Sequence, residues 1–215
     1  MKKVSRRELL TGSLALTAGT LLTDSISAEG IKKEEESWKY VPLDARKVAQ
    51  RAYDEYGTSG CLYGSFKGAV LEYADAIESA DAAMARSARS FPFIAFRCGR
   101  GGFARLKQLC GAVAGAVMFM NCFVSDFKDL TALTDKLGKY AAETELPQFI
   151  PQDDKHPNFL KVAAHGLTCK EMGGAWMKAA TAEQKKVVGE RCKRHTASII
   201  AKAVELLNEY YAKKA

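Results

Sequence analysis

The chain contains no Cys-x-x-Cys pair and no Cys-x-x-Cys-His run, although six cysteines are present. The first absence removes the usual dithiol of thioredoxin-type exchange. The second removes the attachment site of a covalent c-type haem. No acid–base pair, nucleophile triad or phosphate-binding loop stands out either. Electron transfer needs none of these, because a cofactor carries that chemistry. Beyond the N-terminal segment no apolar run reaches the length of a membrane span. The longest, Leu109 to Val124, is interrupted by Gly111, Gly115 and Asn121 and reads as a buried helix. There is no strand pattern and no internal repeat.

What is present begins with an export address. Ser5-Arg6-Arg7-Glu8-Leu9-Leu10 leads into a mildly apolar run from Gly12 to Leu22 and then Ser25-Ile26-Ser27-Ala28. That is the layout of a cleaved twin-arginine signal peptide over residues 1–28. It predicts a periplasmic protein exported already folded, with no membrane span after cleavage. Residues 29–43 read as a polar linker or arm, with Trp38 and Tyr40 marking where it docks. Residues 44–215 form one domain, and a hydrophobic share of 47% is enough for a core without disulfide staples. The formal charge of +7 falls to +5 when Lys2, Lys3, Arg6 and Arg7 leave with Glu8 and Asp24. That mild excess is a solvated surface, with some preference for acidic redox partners or anionic membranes; nucleic acid is not expected.

The class is all-α, a compact bundle of about five to seven helices. A first helix runs from Asp44, its cap, to Tyr56, ended by Gly57, with Val48, Ala52 and Tyr56 inward. The next opens after Gly60 with Cys61 in its first turn. Leu62, Phe66, Ala69, Val70, Tyr73 and Ile77 line its core face, and Gly64 and Gly68 admit another backbone on a second face. Pro92 breaks the pattern, and Gly99-Arg100-Gly101-Gly102 is a loop. A helix from Leu109 to Met120 is apolar on all sides and so surrounded. Another begins near Asp126 with the stripe Phe127, Leu130, Leu133, Leu137 and Tyr140. Pro147, Pro151 and Pro157 hold a long loop. Thr168-Cys169-Lys170-Glu171 is a capping box, as is Thr181-Ala182-Glu183-Gln184, which starts a final helix reaching about Tyr211. Its inward stripe is Val188, Cys192, His195, Ile199, Ala203, Leu206 and Tyr210.

Cys61 and Cys169 both fall in first turns, where unpaired amides and the helix dipole favour thiolate. Cys110 and Cys192 lie on helices with buried faces. Four thiolates converging from separate helices would hold an iron–sulfur cluster or a zinc ion. A buried cysteine taken alone reads instead as a small apolar residue. Cys98, beside Arg97 and Arg100, is a reactive thiol or spare ligand. Cys122 reads as packing, and a Cys98–Cys122 disulfide is the remaining option for the pair. His195 either hydrogen-bonds a cluster sulfur or is a satisfied core histidine. His165 is a ligand or a helix C-terminal cation before Gly166. His156 is loop surface. Arg100, Gly101 and Gly102 are a candidate anion cradle.

Cys110-Gly111-Ala112-Val113-Ala114-Gly115 resembles the signature of the bacterial C_GCAxxG_C_C redox proteins, with Cys61 in the first cysteine position and Cys169 and Cys192 in the later two. Gly60-Cys61-Leu62-Tyr63-Gly64-Ser65-Phe66-Lys67, Trp176 and Ala203-Val204-Glu205-Leu206-Leu207-Asn208 are similar to the exported subgroup around split-Soret cytochrome c. The resemblance spans residues 44–208. It implies a metal site on Cys61, Cys110, Cys169 and Cys192, an iron–sulfur cluster of the 2Fe–2S type, a periplasmic redox partner protein and a homodimer. The chain departs from the subgroup in lacking haem motifs, in Lys170 where a histidine is frequent, and in Met177 where a cysteine is frequent. The covalent haems are therefore expected to be absent.

Three functions are carried forward. The first is an electron carrier rather than a stand-alone enzyme. The second is a metal-free thiol–disulfide protein using the same cysteines. The third is a non-catalytic helical binding or structural module.

Overall fold

The computed structural model of this protein describes residues 37–57 and 59–214. The signal segment and the charged start of the arm lie outside the described residues. Eight α-helices and one 3-10 helix follow: α1 (Ala45–Tyr56), α2 (Cys61–Ile77), α3 (Ala82–Arg89), the 3-10 helix (Phe93–Gly99), α4 (Gly111–Asn121), α5 (Phe127–Glu143), α6 (Cys169–Ala179), α7 (Ala182–Lys186) and α8 (Val188–Ala212). The class is all-α as expected, with slightly more helices than the sequence suggested. Two causes add to the count. Residues 79–105 resolve into α3 and the 3-10 helix, and the expected final helix breaks at Val187, which leaves helical backbone at φ −107°, ψ 27°. Extended pairing among the described residues is confined to two isolated bridges, Leu109 with Thr168 and Leu146 with Val162.

The helix ends follow local chemistry. The Asp44 carboxylate accepts from the amides of Arg46 and Lys47 at 2.8 and 3.1 Å, and Asp126 from Asp129 at 2.8 Å. Both Thr168 and Thr181 close complete capping boxes. These side chains satisfy amides that an unfinished first turn leaves open.

Helix α8 is the axis: α1, α2, α4 and α5 all pack on it. His195, Ile199, Ala203 and Leu206 are buried as the stripe required, whereas Val188 at the open end is 40% exposed. Phe127 likewise leaves the α5 stripe and is 80% exposed. Gly64 and Gly68 act as the sequence implied. A Cβ on Gly64 would stand 2.8 Å from Tyr56 Cα, and one on Gly68 2.5 Å from Ala52 Cα, so α1 and α2 touch backbone to backbone. Helix α4 is buried along most of its length, with Met118 facing out. Residues 37–43, the end of the expected arm, dock through the two residues that marked the place, Trp38 and Tyr40. Trp38 stacks on Tyr73 at 5.2 Å, and Tyr40 donates to Asn208 Oδ1 at 2.6 Å. Among the described residues no helix is long and apolar enough to cross a membrane.

Candidate metal centre

The four cysteines reach one region from four helices. Cys61 is the first residue of α2, behind Gly60 at φ 95°. Cys110 is the cap residue of α4 and not part of the helix as expected. Cys169 is the first residue of α6, and Cys192 lies in the second turn of α8. The ends of α4 and α6 are clamped by the bridge that sequence patterning missed: Cys110 N donates to Leu167 O at 2.9 Å, and Cys169 N to Gln108 O at 2.6 Å. One residue pair is too short a strand to leave a periodic signal.

Motif glycines close the other side. A Cβ on Gly111 would stand 2.6 Å from Gly99 O and 3.2 Å from Cys61 Cβ. The glycine loop packs on the site, and a Cβ on Gly102 would lie 2.8 Å from Cys169 Cβ. From Gly101 to Arg105 every residue has positive φ, including Phe103, Ala104 and Arg105, a conformation costing about 1–2 kcal/mol per non-glycine residue. Bonds from Arg105 N to Arg100 O at 3.0 Å and from Lys107 N to Gly101 O at 3.1 Å hold it in place.

Cys192 is the hub. It lies within electrostatic reach of Cys61, Cys110 and Cys169, and its thiol is the hydrogen-bond neighbour of Cys61. Hydrogen bonding from Cys61 and the charge of Arg191 pull Cys192 down to about 6. The other three move the opposite way. The bond to Cys192 and burial push Cys61 well up, burial lifts Cys110 to about 11, and burial with the neighbouring Cys192 charge raises Cys169. The expectation of thiolates at the first turns of α2 and α6 therefore fails for the isolated groups. Loss of water and the charge on Cys192 outweigh the helix amides.

Two residues of the site escaped sequence reading. Cys61 Sγ donates to Tyr56 Oη at 4.0 Å, and that hydroxyl also meets Cys192. Tyr56 was visible only as the last apolar position of α1. Arg191 is 4% exposed, donates to Met172 O at 2.8 Å and stands 3.9 Å from Cys192 Sγ, with its Nε unpartnered. Its adjacency to Cys192 was the available clue.

The remaining sequence candidates fall outside the group. Cys98 is exposed on the 3-10 helix, and Cys122 donates to Met118 O at 3.4 Å. All six thiols are free, so the Cys98–Cys122 disulfide is absent. His195 is fully buried, yet neither ring nitrogen has a partner, so it is not the satisfied core histidine. Burial and Arg191 hold it well below its usual pKa. His165 is exposed on a loop at φ 54° and ends no helix.

Among the described residues no group of three or more His, Cys, Asp or Glu side chains stands poised to hold a metal ion. Cys61, Cys110 and Cys169 each lie within electrostatic reach of Cys192, a looser grouping than a closed metal site. The donor set and its surroundings nevertheless suit a thiolate-bound ion: four sulfurs, three helix N-termini and a buried guanidinium meet here.

The profile of a family described as "Putative redox-active protein (C_GCAxxG_C_C)" matches residues 90–206. The chain belongs to the C_GCAxxG_C_C family. Split-Soret cytochrome c of Desulfovibrio desulfuricans is 26% identical, over 95% of this chain and 78% of its own length. A solved structure of that cytochrome, described as holding a novel iron centre, superposes with a TM-score of 0.69 at 27% identity, covering 82% of this chain and 72% of the other. This C_GCAxxG_C_C protein therefore shares both the sequence pattern and the helical fold of that relative.

Proposed function

We propose that this protein is an exported electron carrier that binds iron, as an iron–sulfur cluster of the 2Fe–2S type, through Cys61, Cys110, Cys169 and Cys192. The observation that carries the reading is the meeting of three helix-start cysteines around Cys192. The relative with an iron centre supports iron over zinc. When bound, such a group supplies one-electron chemistry. The chain supplies the rest. Helix caps and the Leu109–Thr168 bridge fix the backbones of the four cysteines, Tyr56 accepts from the Cys61 thiol and donates toward Cys192, Arg191 donates toward Cys192, and His195 offers a buried N–H.

The twin-arginine segment 1–28, a short arm before Ser37 and the helical domain after it belong to the same reading, as does a homodimer. Its partner is an acidic redox protein of the periplasm. From Ala82 to Ser125 the chain carries six Arg and Lys and no Asp or Glu, and the exposed Arg97, Arg105 and Lys107 lie in the segment leading to the loop over Cys169.

Anaerobic purification with iron, sulfide and zinc analysis tests the proposal. A brown protein with charge-transfer absorbance is expected. That absorbance should disappear with Ser at position 61, 110, 169 or 192 and survive with Ser at 98 or 122. A colourless, metal-free protein overturns it.

A further inference from the structure

Three arginines withdrawn from solvent are each paired with two carboxylates, and a fourth, Arg191, is not. Arg51 pairs with Glu72 and Asp75, Arg89 with Asp75 and Glu78, and Arg194 with Glu190 and Asp154 at 2.7 and 2.5 Å. Each is at least half-withdrawn from solvent, and each faces two carboxylates. Arg191, only 4% exposed, has no carboxylate within ion-pair distance among the described residues. Its Nη2 donates to the neutral Met172 carbonyl, and its Nε donates to nothing. An unpaired buried cation is costly, by several kcal/mol for the ion alone. The groups within its field that can become anions are the sulfurs: Cys192 at 3.9 Å, with Cys110 and Cys169 in reach. The N-termini of α2, α4 and α6 add three positive dipole ends to the same place. Directly on the next turn of α8, His195 is buried with two idle nitrogens. The site thus holds a fixed positive charge, and the groups placed to balance it are sulfurs.

We infer that Arg191 is the fixed counter-cation of the four-cysteine centre, a positioning residue that makes the site hold a net negative metal–thiolate complex and raises its reduction potential. The inference rests on the metal reading above. Removing a positive charge beside such a complex stabilises its more positive, oxidised state, so the potential of Arg191→Met must fall. Arg191→Lys keeps the charge without the planar fork and must restore most of it.

The experiment compares wild type, Arg191→Met and Arg191→Lys, each metal-free and reconstituted anaerobically with iron and sulfide. Loading should raise the unfolding temperature of wild type and of Arg191→Lys clearly more than that of Arg191→Met. Arg191→Met should also shift the reduction equilibrium about tenfold toward the oxidised form, about 59 mV for one electron. Equal losses of stability with and without metal, at an unchanged potential, mean that Arg191 only packs, and they overturn the inference. If Arg191→Met does not fold, Arg191→Gln, which retains a donor for Met172 O, replaces it. If wild type takes up no iron, the metal reading fails. The role of Arg191 as counter-cation to a metal–thiolate complex then falls with it.

Discussion

The two glycines of the Cys110-Gly111-Ala112-Val113-Ala114-Gly115 motif permit a test by one methyl group. Helix α4 lies on α2 so closely that a Cβ on Gly115 would stand 2.9 Å from Leu62 O, 2.9 Å from Ser65 Cβ and 3.2 Å from Phe66 N. Two of the three obstacles are backbone atoms of α2, which cannot swing aside. Relief requires the helices to part. Overpacking of this kind costs about 1–3 kcal/mol. Against it, alanine in a helix interior gains about 0.5–1 kcal/mol over glycine. The net loss for Gly115→Ala is therefore about 0–2.5 kcal/mol, about 1 at the middle of both ranges. At about 2–4 °C per kcal/mol for a domain of this size, the unfolding temperature should fall by up to roughly 10 °C, about 3 °C at the midpoint.

The control is the same substitution where nothing interferes. Gly174 in α6 has no heavy atom within 4 Å of an added Cβ. Gly174→Ala should raise stability by about 0.5–1 kcal/mol through propensity alone. Thermal melts followed by circular dichroism give both values. Gly115→Ala exceeding wild-type stability would refute the claim that motif glycines exist for backbone contact. Gly111→Ala adds a site readout. Its Cβ would press on Leu62 N at 2.9 Å and displace the start of α2, which carries Cys61. Iron content after reconstitution should drop along with the unfolding temperature.

Three further outcomes are expected. Thr168→Ala removes the capping box that starts α6 at Cys169 and should cost about 1 kcal/mol in a thermal melt, with lower iron occupancy. Trp38→Ala removes the ring stacked on Tyr73 and edge-on to Phe123. It should cost about 2–3 kcal/mol, the low side of large aromatic deletions because Trp38 is only half-buried, and no change would mean that residues 37–43 are not docked. The bond from Arg194 holds the Asp154 carboxyl below the usual 3.8. Its folded pKa being depressed, Asp154 stabilises the fold above that value, and the contribution disappears as the pH falls below it. Melts of wild type through this window should therefore slope more steeply than those of Asp154→Asn.

Legibility tracked the range of the interactions. Asp44, Gly57, Asp126, Thr168 and Thr181 announced helix ends because capping involves residues two or three apart. The α2 stripe and the Gly64–Gly68 pair were readable from a period of 3.6. Cys61, Cys110, Cys169 and Cys192 were readable as a set only through a family resemblance, since spacing carries no pairing information. What stayed hidden depends on partners distant in the chain. The Leu109–Thr168 bridge joins residues 59 positions apart and moves Cys110 from helix to cap. The state of each thiol depends on which sulfur lies beside it, so the helix-end argument, correct in place, failed in sign for Cys61 and Cys169. His195 read as core, and only its surroundings reveal that its nitrogens are idle.

The distribution of the four cysteines has a consequence for folding. Cys61 and Cys192 belong to helices that pack directly, α2 on α8, and α4 packs on both. Helix α6 is different: Cys169 is tied in by the bridge to Gln108, by the close approach of Gly102 and by the Arg191 bond to Met172 O. Three of the sulfurs sit on helices packed side by side in the core, whereas α6 reaches that core through the buried Met172 and Trp176 and is otherwise tied in by polar contacts and a left-handed loop. Of the four, Cys169 is also less buried than Cys61 and Cys110. The core sets the energy of the first three positions, whereas a bound ion would add most to the order of α6 and of the loop packed against it, because there binding and local folding draw on the same free energy.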